Sequence, residues 1–421
     1  MKSKTLLKES SHTFICQFLG LIFGIGSSIV LNRLLGPEGK GRFAALLIVP
    51  QLIVAFSHLG YGISSSYFIG KRKFSDGDVF KSDLLLSFAI GIIGVSIGFL
   101  IYHVLFPEEL LFIRIGLLLL VFTGLWFYYF PDILLGKGKL LLQNYWNLAY
   151  NACRFLLIFA FLVIILDKLK GAVSAVIVLN IAFYALSFFV LSRIIRFRGS
   201  VNLHYIKDGF AFGRKVFFAE LLGFLNYRSD ILFLKIFATN AQIGLYVTAV
   251  FIAESLWMVP RAVSLALYTR LVRGEISEEV TTKAIRYSLL FVFLLAVMGV
   301  FVAKPLIRIF YTDAFIPSYL PFVILLPGVL FLTIPKILAS HFVGVWGKPE
   351  LLLRGRVVAV PINIILNLIL IPRYGMHGAA IASSVSYITE SIIIMFIFRR
   401  MRGHPGISPV LFEKMNRPYS Q

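Results

Sequence analysis

The chain has 421 residues, of which 59% are hydrophobic and 14% are charged. An ordinary soluble domain carries about a quarter charged residues, so this composition excludes a water-soluble globular fold. The formal net charge of +21 would suggest a nucleic-acid partner in a soluble protein. In a membrane protein it is explained by basic cytoplasmic loops, and no nucleic-acid partner is predicted.

Apolar runs recur along the whole sequence, each long enough to cross a hydrocarbon core of about 30 Å as a helix of about 20 residues. Runs such as 117–122 do not alternate polar and apolar residues, as the strands of a membrane barrel would. The sequence therefore predicts an all-α, polytopic membrane protein. Its twelve spans lie near 11–32, 43–68, 82–105, 111–131, 142–166, 171–194, 211–236, 244–270, 286–310, 317–345, 351–371 and 375–398.

Lys and Arg are unevenly distributed among the predicted loops. The basic stretch from Arg193 to Lys215 separates the sixth and seventh spans, and Lys2 and Lys4 precede the first. Because cytoplasmic loops of membrane proteins are enriched in Lys and Arg, both termini are predicted in the cytoplasm. The location is then the cell inner (cytoplasmic) membrane, with the first run retained as a span instead of cleaved as a signal.

An internal repeat divides the chain into two halves. At an offset of about 203 residues, Arg33–Phe43 aligns with Lys235–Tyr246, and Gln51 falls opposite Glu254. Such duplication is common in transporters. The predicted organisation is a six-helix lobe at 1–195, a cytoplasmic linker at 196–210, a second six-helix lobe at 211–400 and a cytoplasmic tail at 401–421, with a central cavity between the lobes.

Two stretches carry a family likeness. Residues 31–43, Leu-Asn-Arg-Leu-Leu-Gly-Pro-Glu-Gly-Lys-Gly-Arg-Phe, followed by Gly60-Tyr-Gly62, resemble the first hairpin of the polysaccharide-transporter family, which includes the O-antigen flippases. Asn226-Tyr-Arg-Ser-Asp230, then Gly244-Leu-Tyr246, Glu254 and Pro260, resemble its seventh and eighth spans. The family belongs to the multidrug, oligosaccharidyl-lipid and polysaccharide exporter superfamily.

The resemblance implies a function. It implies two six-helix lobes around a V-shaped cavity lined mainly by spans 1, 2, 7 and 8, alternating access, and an undecaprenyl-diphosphate-linked oligosaccharide as cargo for surface polysaccharide biosynthesis. A functional association with a polysaccharide polymerase or ligase also follows. Relatives that flip lipid II generally carry fourteen helices, whereas twelve are predicted here.

Ionisable residues inside predicted spans are candidates for the transport site, because each costs about 2.5–3.5 kcal/mol to insert at mid-span. Four on the helices that line the family's cavity are assigned to the cavity: Arg228, Asp230, Glu254 and Arg261. Glu220 shares the seventh predicted span with Arg228, and Arg154, Lys336 and Glu390 lie in predicted spans outside the cavity set. The alternative for each is that it pairs across helices and fixes their packing.

The chemistry of the cargo suggests roles for these residues. Arg can hold a diphosphate with two parallel hydrogen bonds, which favours Arg228 and Arg261. Hydrogen-bonding and stacking groups for a glycan are offered by Asn32, Gln51, Asn226, Tyr227 and Tyr246, and Arg33 completes the candidate set.

Two features are given structural interpretations. The aromatic clusters Trp126–Phe130 and Tyr145–Trp146 are predicted to anchor the fourth and fifth spans at the membrane interface. Pro260, between Glu254 and Arg261, is predicted to kink its span.

No enzyme or cofactor is predicted. Gly36-x-x-Gly39-Lys40 has the wrong spacing for a phosphate-binding loop and lacks the following Ser or Thr, and the two cysteines, Cys16 and Cys153, form no zinc spacing. The remaining alternatives are a cation-coupled multidrug exporter, a lipid II flippase, and a membrane-embedded glycan polymerase or ligase. The short predicted outer loops disfavour the last.

Overall fold

The computed structural model describes residues 2–165, 167–271, 278–344, 346, 348 and 350–401. All regular secondary structure in these ranges is helical, as predicted. It comprises a 3₁₀ helix at Asp313–Ser318 and fourteen α-helices: α1 (Lys2–Ser57), α2 (Tyr61–Gly70), α3 (Asp76–Leu105), α4 (Leu111–Gly136), α5 (Leu140–Ile164), α6 (Lys168–Ser192), α7 (Leu203–Phe237), α8 (Asn240–Ser255), α9 (Met258–Leu271), α10 (Glu278–Phe310), α11 (Tyr319–Phe331), α12 (Thr333–Gly344), α13 (Glu350–Tyr374) and α14 (Met376–Met401). Apart from Met401, the predicted tail lies outside the described residues.

Ten helical stretches in the described residues are long and apolar enough to cross a membrane. One of them, His12–Ser57, has 46 residues, about twice the length a span needs, and Gly36 interrupts it with a φ of 64°. It therefore provides two spans. Helix α7 has 35 residues, long enough to cross a membrane, and carries the charged residues Glu220, Arg228 and Asp230 in its middle. Counting His12–Ser57 as two spans and adding α7 gives twelve spans in the described residues, the number that the sequence predicts.

Three of the predicted spans consist of two helices each. The second span is broken at His58–Gly60, where Leu59 and Gly60 have φ of 51° and 75°. The eighth is broken between α8 and α9, and the tenth at Leu332, between α11 and α12. Pro260 is the third residue of α9. At this position a backbone N–H has no acceptor within the helix, so a proline there costs no helical hydrogen bond. It therefore starts a helix and does not kink one.

Large apolar side chains cover much of the surface. Phe112 on α4 is 78% exposed and Phe301 on α10 is 76% exposed. Burying such groups drives the folding of soluble proteins, but lipid chains are as apolar as the side chains themselves. This surface shows that the protein is a multi-pass membrane protein.

The chain forms two compact units. Unit 1 comprises Met1–Leu221, Leu234–Leu245 and Phe310–Ala314, and unit 2 comprises Leu222–Phe233, Tyr246–Ile309 and Phe315–Gln421. Helix α7 contributes residues to both units. The lobe boundaries drawn on the sequence at 195 and 211 stay a prediction.

The core of unit 1 is aromatic. Trp126 stacks on Phe188 with ring centroids 5.1 Å apart, and its Nε1–H donates to Ser187 Oγ at 2.6 Å. Trp126, Phe130 and Trp146 are buried, so the prediction that they anchor the helices at the interface is wrong for them. The side chains point into the bundle, where aromatic pairs add to the stability gained by burial.

Two pairs of glycines bring backbones together within unit 1. A Cβ on Gly41 would overlap the carbonyl oxygen of Asn240, and one on Gly244 would overlap that of Pro37. At the α1–α2 break, a Cβ on Gly60 would overlap the carbonyl oxygen of Gly213 on α7. Only glycine permits these contacts.

Candidate functional site

The polar residues that the sequence singles out are concentrated in unit 2. Helix α7 supplies Asn226, Arg228 and Asp230, α8 supplies Glu254 and α12 supplies Lys336. At about 100° per residue, Asn226 and Asp230 share one face of α7 and Arg228 points to the opposite side. All three nevertheless contact different partners.

Arg228 is paired with Glu254. Its Nη1 and Nη2 donate to Oε1 and Oε2 at 2.9 and 2.8 Å, a two-point contact that fits the planar guanidinium. The side chains are 31% and 17% exposed. The pair is electrically neutral, so Arg228 does not present an uncompensated positive charge.

Asp230 lies in a different set of contacts. Tyr246 on α8 donates its hydroxyl hydrogen to Asp230 Oδ2, and Ser383 Oγ on α14 donates to the same oxygen at 3.3 Å. The carboxylate is buried. Hydroxyl donors compensate part of the cost of that burial, so Asp230 links α7, α8 and α14.

Asn226 belongs to a third group. Its Nδ2 donates to Glu390 Oε2 at 2.9 Å, and its Oδ1 accepts from Ser386 Oγ at 2.5 Å. Glu390 also accepts from Arg356 Nε on α13 at 3.2 Å. This network connects α7, α13 and α14.

Lys336 lies against aromatic rings. Its Nζ is 3.9 Å from the ring centroid of Trp257 and 5.3 Å from that of Tyr227, distances at which a cation is attracted to the face of a ring. Arg261 is exposed on α9, and its positive charge acts on Lys336. Among the described residues, neither Arg261 nor Lys336 forms an ion pair with a carboxylate.

The other three predicted residues lie in unit 1. Arg33 Nε donates to the carbonyl oxygen of Phe310 at 2.8 Å. Gln51 is exposed on α1 and Arg154 is partly buried on α5. The charge of Arg154 acts on Lys40, which is buried on α1.

Three contacting residues escaped the sequence analysis. Arg356 follows Arg354 near the start of α13, and two basic residues at a helix end are typical of the membrane interface. Its partner Glu390 is among the ionisable residues predicted inside the spans. Trp257 and Ser383 have no charge, and only their position identifies them. In the described part of the chain, no three His, Cys, Asp or Glu side chains group as metal ligands.

The fold places the protein in a class. It is similar to the lipid II flippase MurJ in an inward closed conformation, with a TM-score of 0.74, 16% identity and coverage of 92% of this chain and 87% of that one. It is also similar to an inward-facing multidrug resistance transporter of the MATE family, with a TM-score of 0.71, 15% identity and coverage of 94% and 96%. The chain therefore has the helical fold shared by these membrane transporters.

A family model specifies the class further. The model described as "Polysaccharide biosynthesis protein" matches residues 6–263, more than half of the chain. The chain belongs to this family, in agreement with the resemblance seen in its motifs.

Curated relatives match over shorter stretches. The probable low-salt glycan biosynthesis flippase Agl15 of Haloferax volcanii is 26% identical over 179 residues, which are 41% of this chain and 37% of that protein. The uncharacterized membrane protein MJ1068 of Methanocaldococcus jannaschii is 27% identical over 122 residues, 29% of this chain and 24% of that protein. The matched region thus spans about a third or less of these relatives.

Proposed function

We propose that the protein is a flippase that moves an undecaprenyl-diphosphate-linked oligosaccharide across the cytoplasmic membrane, by alternating access, for surface polysaccharide biosynthesis. The family match over residues 6–263 is the observation that carries the proposal. The name of the Haloferax relative, a probable glycan biosynthesis flippase, supports it. On this proposal the protein is a carrier and not an enzyme.

Arg261 and Lys336 are the residues of unit 2 that we assign to the diphosphate. Both are cations without a carboxylate partner among the described residues, whereas the charge of Arg228 is compensated by Glu254. Trp257 and Tyr227 lie beside Lys336 and are aromatic. Unit 2 therefore offers an anionic cargo two cations that form no ion pair with a described carboxylate, while the charges of Glu254 and Glu390 act on Lys336 from a longer distance.

The same geometry disfavours the export of organic cations. An aromatic group of this kind can bind a ligand cation, but here the ammonium group of Lys336 occupies that position. The nearby charge of Arg261 adds repulsion. A cation-coupled multidrug exporter therefore fits less well, and a lipid II flippase remains the alternative for an anionic cargo.

The proposal includes a membrane and an orientation. The chain lies in the inner (cytoplasmic) membrane with both termini in the cytoplasm, because loops rich in Lys and Arg stay on the cytoplasmic side. The cargo is loaded on the cytoplasmic side and released on the other side. There a polysaccharide polymerase or ligase that consumes the released cargo is the expected functional partner.

The test is a flipping assay with the purified full chain in liposomes. The probe is a fluorescently labelled undecaprenyl-diphosphate disaccharide, and a membrane-impermeant quencher reports the fraction in the outer leaflet. Arg261→Ala and Lys336→Met should each slow flipping about tenfold or more, the equivalent of one charge-assisted hydrogen bond. Arg286→Ala, which removes an exposed arginine from α10, is the matched control and should flip at the wild-type rate.

Three results would contradict parts of the proposal. Wild-type vesicles that quench no more probe than protein-free vesicles would refute the flippase. Wild-type rates in both site variants would remove Arg261 and Lys336 from the diphosphate site. Transport of a fluorescent quaternary ammonium dye, without flipping of the lipid, would favour the multidrug exporter.

A further inference from the structure

The segment between α6 and α7 turns its basic side chains outwards. Buried and exposed positions alternate along it, as they do in an extended chain. Ile195 is buried, and Phe197 stacks on Phe80 with ring centroids 4.5 Å apart. Arg196 and Arg198 lie at the alternate positions and are exposed. The apolar side chains therefore attach this segment to unit 1, and the arginines point away from it.

Hydrogen bonds hold the end of the same segment against the start of α3. The Ser200 N–H donates to Asp78 Oδ1 at 2.8 Å, and the Asn202 N–H donates to Ser82 Oγ at 2.9 Å. Asn202 Oδ1 accepts in turn from the Tyr205 N–H at 3.1 Å, which is the contact of a helix N-cap. The backbone is thus fixed up to the first turn of α7.

The first turns of α7 are buried on one face and exposed on another. Tyr205, Gly209, Gly213 and Phe217 recur every four residues and are buried. A Cβ on Gly209 would contact the ring of Tyr61 on α2, so this face lies against unit 1. Residues three or four apart share a helix face, and those of the exposed face form a stripe of basic and large apolar side chains: Leu203, Lys207, Phe210, Arg214 and Phe218.

The aspartates at this end of unit 1 are paired with other lysines. Lys137 Nζ donates to Asp76 Oδ2 at 2.8 Å, and Lys73 Nζ donates to Asp208 Oδ2 at 2.9 Å. The segment and the start of α7 carry their own exposed basic side chains, called here the basic surface: Arg193, Arg196, Arg198, Lys207, Arg214 and Lys215. In the part of the chain that the structure describes, none of these forms an ion pair with a carboxylate.

The length of α7 indicates the depth of these cations in the membrane. Its 35 residues span about 52 Å at 1.5 Å per residue, which is more than the roughly 40–45 Å of a whole bilayer. A hydrocarbon core of about 30 Å takes about 20 residues, so counting back from Phe237 brings its edge to Phe218. Arg214 and Lys215 then lie about 5 Å beyond that edge, in the layer of the lipid head groups.

The apolar members of the stripe favour a lipid over a soluble acidic partner. Leu203 is 76% exposed and Phe218 is 51% exposed, so the protein does not cover them. Basic and large apolar side chains on one helix face are typical of segments that lie in a membrane interface. Several Lys and Arg beside the end of a membrane-spanning helix are also the pattern that attracts anionic lipids.

We propose that the basic surface binds the head groups of anionic phospholipids. The inference goes beyond the proposed flippase function and does not depend on it; with the proposed orientation, the lipids belong to the cytoplasmic leaflet. Helix α7 contributes residues to both units and bears Arg228 and Asp230. Lipids bound at Arg214 and Lys215 therefore hold the start of this helix at a fixed depth in the membrane.

The test measures the lipid selectivity of the full chain in bilayers, without any cargo. Spin-labelled phosphatidylglycerol and spin-labelled phosphatidylcholine are compared by electron paramagnetic resonance, which gives the fraction of each lipid that the protein immobilises. Wild-type protein should prefer phosphatidylglycerol about fivefold or more, the factor equivalent to the ~1 kcal/mol of one basic residue at an anionic membrane surface. Salt at about 1 M should remove most of this preference, because it screens exposed charges.

A double variant locates the binding surface. Arg214→Gln combined with Lys215→Gln should lose most of the preference, because these two cations lie at the depth of the head groups. Lys304→Gln combined with Arg373→Gln is the matched control, since it removes two exposed cations from α10 and α13. The control should keep the wild-type preference. All four side chains are exposed, so both variants are expected to fold, and gel filtration checks that they do.

The outcomes decide the proposal independently of transport. Equal immobilisation of the two lipids by wild-type protein, or an unchanged preference in the Arg214 and Lys215 variant, would overturn it. Equal losses in this variant and in the control would show a general effect of net charge and would also overturn it. Binding of polyglutamate without any lipid preference would assign the surface to an acidic protein instead. A chain that shows the preference but flips no lipid-linked saccharide would refute the flippase alone.

Discussion

At the level of single residues, the pairing of Arg228 with Glu254 determines how each side chain responds to substitution. Removing one partner of a mostly buried ion pair leaves the other charge uncompensated, which costs more than the pair itself contributes. Replacing both partners with apolar side chains of similar size removes this penalty. The pair therefore allows structural and transport roles to be separated.

We predict that Arg228→Ala lowers the free energy of unfolding by about 1–3 kcal/mol, with partial exposure of the pair reducing the full buried cost. The double variant Arg228→Met with Glu254→Leu should recover most of that loss. The measurement is thermal unfolding in detergent together with protein abundance in the membrane. If the double variant is as unstable as the single one, the pair is not the source of the effect.

The sequence identified the polar residues of unit 2 but could not identify all their partners. Arg228 and Asp230 are two residues apart, which predicts separate partners on a helix, and the structure confirms this. The partner of Asn226 is Glu390, 164 positions away, and no local pattern indicates such a contact. Trp257 and Ser383 are uncharged, so the cost of inserting an ionisable residue into a membrane does not mark them as candidates for a functional site.

At the level of the elements, glycine determines where the first helix bends. Gly36 has a φ of 64° and a ψ of 178°, a region that side chains with a Cβ avoid. Pro37 follows directly and supplies the fixed φ of a helix start. The Gly-Pro pair therefore separates the first two spans without a loop.

We predict that Gly36→Ala destabilises the protein by about 1–3 kcal/mol, the usual cost of holding a Cβ residue in this backbone region. Gly24→Ala is the matched control on the same helix, because a Cβ there meets nothing within 4 Å. It should leave the melting temperature unchanged or raise it slightly, since alanine is the better helix former. Equal melting temperatures for both variants would show that the bend can relax.

The helix breaks were only partly predictable. Gly60 and Pro260 lie at two of them, and both residue types interrupt or start helices. Sequence analysis nevertheless extended each span through its break, because the hydrophobic residues continue on both sides. The break at Leu332 comes before Pro335, the third residue of α12, which is the position that Pro260 has in α9.

At the level of the whole molecule, the distribution of Lys and Arg predicts the topology. A reporter inserted near Gly199 should be cytoplasmic, and one near Pro107 should be on the outer side. A third reporter after Arg402 should also be cytoplasmic, although that position lies outside the described residues. An outer signal at Gly199, or a cytoplasmic one at Pro107, would contradict the twelve-span arrangement.

The close contact of α1 with α8 can be used to test alternating access. Asn240 Nδ2 donates to Glu38 Oε1 at 3.0 Å, and both residues belong to unit 1. With Cys16 and Cys153 replaced by serine, Glu38→Cys and Asn240→Cys should form a disulfide under oxidation. If this contact opens during transport, the disulfide should stop flipping, and a reductant should restore it.

Single-cysteine variants serve as controls and should be unaffected by oxidation. Continued flipping by the fully oxidised double variant would show that the contact stays closed throughout the cycle.

The discontinuity of unit 1 has a consequence for biogenesis. Its segments at Leu234–Leu245 and Phe310–Ala314 are synthesised after the first six spans have already entered the membrane. Until Phe310 has been synthesised, Arg33 cannot form its hydrogen bond to the carbonyl oxygen of that residue. Chains that terminate between Leu245 and Phe310 cannot complete unit 1, so we expect membrane quality-control proteases to degrade them faster than the full-length chain.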